Sequence, residues 1–479
     1  MVRACWVQHG AEHEWAVHVA DDWREDGIET HFVATMRQGH DAYRSAGHTS
    51  TFITPLAFDE RTVVSDAETV ELDRIYGPPL LRSTVGSDVH LQLLFGTDER
   101  RAMAVVARAI RFWERFLDEH PIDALVLRET QSFATRSAFV VARRRDVPVL
   151  RIDIGPSDDY FTMSDVGEDQ VSTELRAAIA GGPRPLTDRE RAVVTELVVR
   201  RVAPRSGPST LRDTGVPLPL LPAHLLRERI RERRARRDGD MVLAAGTRVR
   251  RWFLRRRSFA RVTRRCFRYE APPSGEYVYF PIPFRSEGML LALHGFWMHH
   301  TADLIETIAQ RLPSGCELVV KEHPAVPGDQ SWRELRHLRR TPRVRVVPPT
   351  TDGLGLVQGA AAVVLLGGTA GWEAFLSRVP VVVLAVRSYY TLSELVERVD
   401  EVDQLEAAVT AAIRDGRDRY DRHNAEWEWF VHAVIASSIP GRFLRFEFPY
   451  YTDEHLHDVA RGMAARIRTR VDQRAEARP

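Results

Sequence analysis

The sequence predicts an α/β protein made of two doubly wound parallel-sheet domains facing a cleft, with a basic helical insertion. Three observations carry that expectation. Short apolar runs alternate with amphipathic helical stretches through the first part of the chain, and the alternation restarts near residue 277. At 479 residues the chain exceeds what one ordinary core accommodates. An arginine-rich stretch separates the two alternating regions. The expected division is 1–204 and 271–425 for the sheet domains, 205–270 for the insertion and 426–479 for closing helices.

In order, the first strand ends just before His9, and ETHFVAT reads as the next. RAMAVVARAIRFWERFLDEH repeats apolar residues at three and four, the period of a helix with one buried face. DALVLRE, SAFVVARRR and VPVLRIDIG then read as strand, helix and strand, the order of parallel strands with a crossover helix. DRERAVVTELVVRRV reads as a further helix, and RSGPSTLRDTGVPLPLLP as a turn-rich connector. Residues 227–268 follow, dense in arginine and poor in acids. Two readings stand for them: a solvated helical pair whose aliphatic stems cover apolar surface, or a basic patch for a polyanionic chain or for anionic lipid at the inner face of the cytoplasmic membrane. Beyond a short linker, EYVYFPIPF, CELVVKEHP, RVRVVPP, AAVVLLGG and VPVVVLAV read as strands. HTADLIETIAQRLP, TDGLGLVQGA and TAGWEAFLSR read as the helices between them.

Bulk properties exclude several classes. A formal net charge of +1 gives no global attraction to nucleic acid or membrane. Cys5, Cys266 and Cys316 form no CxxC pair, so neither a disulfide scaffold nor a zinc ribbon is expected. The N-terminus lacks a signal peptide's apolar core, and the apolar runs are too short to span a bilayer. A cytoplasmic protein is expected.

Ligands of open parallel sheets bind beyond the carboxyl ends of the strands. Three segments fall there: FPIPFRSEG, KEHP and GGTAGWEA. Lys321 of KEHP is the only lysine in a chain with 67 lysines and arginines together, so this position favours a compact ammonium over a planar guanidinium. Lys321 suits a monophosphate or diphosphate, and His323 can hold a phosphate or donate to one that leaves. In GGTAGWEA, Gly368 permits a tight turn, Thr369 is the expected N-cap, and the first helical amides suit an anion. Glu373 suits ribose hydroxyls or, as a plain alternative, the helix dipole.

The order YVYFP, LVVKEHP and GTAGWEA resembles the bacterial capsule polysaccharide biosynthesis proteins, which include capsular β-Kdo transferases; the likeness runs from about residue 277 to 386. The resemblance implies a GT-B-like glycosyltransferase: two Rossmann-like domains, no cofactor, and metal-independent inverting transfer of a sugar from a nucleotide-sugar donor, CMP-sugar favoured, to a glycan or glycolipid acceptor. It implies that Lys321 and His323 contact the donor phosphate, with Thr369 and Gly371 in support, and that Glu373 lies near the ribose. Members follow the FP strand with a Gln-Pro-Glu-Ala-Ser type run; here FRSEGM keeps Glu287 alone, which weakens any inference about the donor.

An inverting transfer needs a base for the acceptor hydroxyl. Glu12 and Asp153 are the favoured candidates, with His9, His13, Glu129, Asp158 and Asp159 as further strand-end groups. His294, His299 and His300 lack metal-ligand spacing, so no metal is expected. Two rivals remain: a CDP-alcohol phosphotransferase of the teichoic-acid type on the same fold, and a non-catalytic scaffold of capsule assembly.

Overall fold

The apolar runs assemble into two separate sheets. The structure, a computed structural model, describes residues 1–8, 13–165, 171–203, 269–283, 300–324, 329–384, 388–441 and 453–477, with six residues between 226 and 234. Glu12, Glu287, His9, His294, His299 and nearly all of the arginine-rich stretch lie outside the described residues.

The first sheet contains β1 (Val2–Gln8), β2 (Ile28–Ala34), β3 (Thr49–Phe52), β4 (Ala124–Leu127), β5 (Val149–Ile154), β6 (Tyr160–Ser164) and, from late in the chain, β13 (Ile439–Pro440). Its order is β13-β6-β5-β4-β1-β2-β3. β1 to β5 pair in parallel, while β6 and β13 add antiparallel strands at one edge. Helices cover both faces, which is why β1 is apolar at successive positions: Ala4 and Trp6 enter one core, Cys5 and Val7 the other. Trp6 stacks on Trp23 with ring centroids 5.1 Å apart, and the Trp23 indole N–H donates to the Ala460 carbonyl at 2.9 Å. Each fully buried aromatic of this kind contributes roughly 1.5–3 kcal/mol.

The second sheet contains β7 (Tyr277–Ile282), β8 (Glu317–Glu322), β9 (Val344–Val347), β10 (Ala362–Leu365), β11 (Val381–Leu384) and β12 (Val396–Val399), in the order β12-β11-β10-β7-β8-β9 and parallel throughout. In each sheet the chain winds outward from its first strand, then returns to build on that strand's other side. The reversal lies between β1 and β4 in one sheet and between β7 and β10 in the other. Those are the crevices where doubly wound sheets bind ligands.

Two α/β units are therefore present as expected, but their membership does not follow chain order. Residues 1–173 group with the stretch from 437 onward, and residues 174–203 group with 269–436. The helix Asp188–Val202, expected in the first domain, belongs to the second unit, where the Val202 carbonyl accepts from Gln358 Nε2 at 3.0 Å. The helix Asp453–Ala477 belongs to the first, held through Ala460. Helices at Asp66–Tyr76, Leu80–Ser87 and Val89–Phe95 fill a stretch the sequence reading left without elements. Asp88 explains part of it: one carboxylate oxygen accepts from the His90 and Leu91 amides, the other from the Phe133 amide at 2.8 Å, so one residue caps two helices. Among the described residues no helix is long and apolar enough to cross a membrane.

At the far side of the first sheet His31 accepts or donates a 2.9 Å hydrogen bond with Thr51 and lies 4.8 Å, ring to ring, from His120. Burial first, then the neighbouring His120, lowers its pKa from 6.5 to about 4. The folded state thus holds the neutral imidazole, and the unfolded state binds the extra proton. This contribution to stability is complete above pH 6.5 and is lost as pH falls toward 4, on the order of 2 kcal/mol by pH 4.5. Urea denaturation at pH 7 and pH 4.5 should show a smaller loss for His31→Asn than for the parent chain.

Candidate active site

Three strand ends meet because the register aligns them: Pro281 of β7 pairs with Lys321 of β8, and Tyr279 of β7 with Val363 of β10. Side chains of paired residues in a parallel sheet share a face, so Tyr279 and Lys321 stand on the same side. Lys321 is 4% exposed, and its ammonium donates to the carbonyls of Thr351 at 3.2 Å and Pro349 at 3.5 Å. A Cβ added to Gly353 would come within 3.4 Å of Nζ, so the pocket is closed on that side as well. Burial lowers the lysine pKa, with Asp352 and Glu373 pulling it back up. The compact-ammonium argument thus has a structural basis different from the expected one. Lys321 spends hydrogen bonds on the loop after β9, and its charge acts on the surroundings through space.

Asp352 caps the helix Gly353–Gly359 by accepting from the Leu354 and Gly355 amides at 3.1 and 3.0 Å. Glu373 lies in the helix Thr369–Leu376, with its side chain 13% exposed and Oε1 3.9 Å from the Arg201 guanidinium. Arg201 comes from the helix Asp188–Val202; nothing in the sequence connects it to this site, and the reading missed it. Tyr279 and Tyr389 also feel Glu373: burial raises both phenols, and the carboxylate adds to that shift.

His323 follows β8 and is exposed to solvent, yet surrounding protein and the Lys321 charge lower its pKa, against an opposing pull from Asp329. At neutral pH it is a neutral imidazole able to donate one hydrogen bond. Glu322, between them in sequence, points to the opposite face of the sheet. It is 2% exposed and accepts from the Gln330 amide at 3.2 Å and the Tyr269 hydroxyl at 3.5 Å. The acid of KEHP therefore holds the Gln330 amide and the Tyr269 hydroxyl rather than facing the site.

The turn after β10 differs from expectation in detail. Gly368, not Thr369, is the N-cap; its φ of +100° is costly for residues with a Cβ. Thr369 is the first helical residue and is exposed, no side chain caps the helix, and of its first three amides only that of Gly371 bonds back, to the Gly368 carbonyl at 3.3 Å. Gly371 serves packing: a Cβ there would lie 2.5 Å from the Tyr390 hydroxyl, which donates to the Gly368 carbonyl at 3.1 Å. Tyr390 thereby holds the turn shut from behind.

The base candidates separate. Asp153, expected at a strand end, lies within β5 and is 6% exposed. Arg151 Nε donates to both its oxygens at 3.1 Å, and the Ser164 hydroxyl donates to one of them. Burial outweighs these partners and raises its pKa. Asp153 is thus engaged inside the sheet with Arg151 and Ser164 rather than presented to solvent. Glu129, after β4, accepts from the Ser132 amide at 3.0 Å and from the Ser132 and Thr135 hydroxyls at 2.8 and 2.7 Å, which anchors the start of the helix Phe133–Arg144. Asp158 and Asp159 lie in the β5–β6 turn. Among the described residues no three His, Cys, Asp or Glu side chains converge as a metal set.

Residues 266–396 match the family model of the capsule polysaccharide biosynthesis proteins, a stretch that spans β7 to β11 with both KEHP and GGTAGWEA. No curated relative matches the chain. Among solved structures it is similar to a calicheamicin glycosyltransferase, at 16% identity over 91% of this chain and 95% of that one, with a TM-score of 0.29. It is similar to a β-Kdo 2,4 transferase of Thermosulfurimonas dismutans, at 13% identity over 60% and 79%, with a TM-score of 0.35. A UDP-GlcNAc 2-epimerase of Methanocaldococcus jannaschii is also similar, at 11% identity over 87% and 94%, with a TM-score of 0.30.

Gly371→Ala should displace Tyr390 and cost about 1–3 kcal/mol, whereas Tyr390→Phe, which keeps the ring, should cost about 1 kcal/mol. Urea denaturation of the two variants checks this. Equal losses would mean that the hydroxyl, not the ring position, dominates.

Proposed function

We propose that this chain, capsule polysaccharide biosynthesis sequence over residues 266–396, is a glycosyltransferase of bacterial surface polysaccharide assembly. It transfers a sugar from a nucleotide-sugar donor, a CMP-sugar of the Kdo type in the favoured form, to a glycan or glycolipid acceptor with inversion. One observation carries the reading. Lys321, with no carboxylate within 4 Å among the described residues, lies at the same sheet edge as the uncapped helix start at Gly368–Thr369, and its charge reaches both His323 and Glu373.

Breaking a bond from sugar to nucleotide phosphate moves negative charge onto the departing phosphate. A fixed positive field stabilises that charge more than the bound donor, which is the condition for catalysis. In this reading the Thr369 and Ala370 amides contact the phosphate, Lys321 supplies field from behind, and neutral His323 donates a hydrogen bond to the leaving oxygen. Glu373 accepts from ribose hydroxyls, with Arg201 holding its orientation. The base for the acceptor proton is proposed to be Glu12. No metal takes part in this scheme.

The test is a thermal-shift screen of the full chain with CMP, CDP, UDP, GDP and dTDP. A nucleotide at a hundred times its Kd adds about 2.7 kcal/mol of stability. CMP should stabilise the parent, and His323→Ala should lose most of that shift while keeping the parent's unliganded Tm, since the imidazole is at the surface. CDP alone would move the assignment to transfer of a phosphoryl-alcohol, and UDP or GDP to another sugar donor. If no nucleotide shifts the protein, the transferase reading fails. Lys321→Arg should weaken nucleotide binding at least about threefold, because a guanidinium does not fit beside Gly353 without moving the 349–351 loop.

A further inference from the structure

The first unit carries an open cleft of about 360 Å³, independent of the site above. It lies between the segment after the short helix Thr54–Ala57 and the N-terminal half of the helix Glu99–Glu119. Phe58, Val64, Phe95 and Val105 form its apolar wall. The Phe58 and Phe95 rings stack with centroids 6.1 Å apart, and Phe133 meets Phe58 edge-on at 5.5 Å, so the wall is braced. Val63, at 83% exposure, is an apolar residue set in the same lining where it meets solvent.

Arg108 also lines the cavity and is 9% exposed. Its Nε donates to the Ala57 carbonyl at 2.7 Å and its Nη1 to the Thr62 carbonyl at 3.0 Å. Neither contact neutralises the charge. Asp59 and Glu60 are the nearest acids to act on it, but Asp59 is held by Arg61 at 2.8 Å and Glu60 by Arg101. Arg101 in turn lies over the Phe95 ring at 5.4 Å, and Arg100 pairs with Asp66 at 3.2 Å. A cation buried against carbonyls alone is costly, and an arriving anion relieves that cost. An aromatic wall beside such a cation suits a ligand with one apolar and one anionic end.

We infer that this cavity binds an amphipathic anion, with a carboxylate or phosphate head against Arg108 and an apolar body of about eight carbons between Phe58, Phe95 and Val105. Isothermal titration of the full chain with octyl phosphate and with octanoate tests it, with octanol and octyltrimethylammonium as the uncharged and cationic controls. At least one anion should bind about tenfold tighter than octanol, and the cation should not bind. The better of the two anions identifies the head group as phosphate or carboxylate. Ala104→Phe, which fills the cavity, should abolish binding. Val63→Asp, at an exposed position that folding does not depend on, should weaken the anions about threefold to tenfold and leave octanol unchanged. Absence of heat from both anions, equal binding of octanol, or anion binding unchanged in Val63→Asp would overturn the inference.

Discussion

The parallel register of β10, β7 and β8 is the constraint on which the candidate site depends. Because β7 is laid down first and β10 returns to its free side, the carboxyl ends of three strands far apart in sequence open at one edge. A slip of one residue in β8 would turn Lys321 to the face that Glu322 occupies and bring Glu322 into the site, since side chains alternate along a strand. The register is secured by apolar burial on both faces: Val278, Phe280, Leu318 and Val320 on one, Tyr279, Val319 and Val363 on the other, all at most 2% exposed. Hydrophobic packing thus sets the electrostatics at the edge.

Most charged groups near the strand ends are engaged in building the fold. Asp88 and Asp352 cap helices, Glu129 anchors a helix start, Glu322 fixes the His323 segment and Asp153 is enclosed with Arg151. What remains distinctive is charge without a close opposite. Lys321 donates only to backbone carbonyls among the described residues, and Arg108 likewise, one in each unit. A buried cation held this way keeps its field available to an arriving anion, because no carboxylate cancels it at contact distance. The same physics therefore supports both the phosphate reading of the second unit and the amphipathic-anion site of the first.

Positioning of the turn after β10 is shared among residues that would not touch a ligand. Gly368 adopts a backbone angle that L side chains rarely take, Gly371 makes room for a ring, and Tyr390 closes the arrangement with one hydrogen bond. The result is a helix start with no capping side chain to compete for its first amides. A capping Ser or Asp in place of Gly368 would satisfy those amides internally and remove the proposed anion site.

Local pattern alone determined the strands and most helices of this protein, because alternation and three-four spacing report burial directly along the chain. It also singled out Lys321, His323, Gly368 and Glu373, since strand ends in a doubly wound sheet are where ligands go and these residues end apolar runs. Tertiary structure alone decided the rest. That Arg201 faces Glu373, that Asp153 is locked between Arg151 and Ser164, and that the C-terminal helix belongs to the first unit all depend on contacts between residues distant in sequence. The role of Lys321 was decided the same way. Sequence could mark it as the one position held to an ammonium, but only folding brings the Pro349 and Thr351 carbonyls against it, because those residues lie in a loop some thirty positions further along the chain.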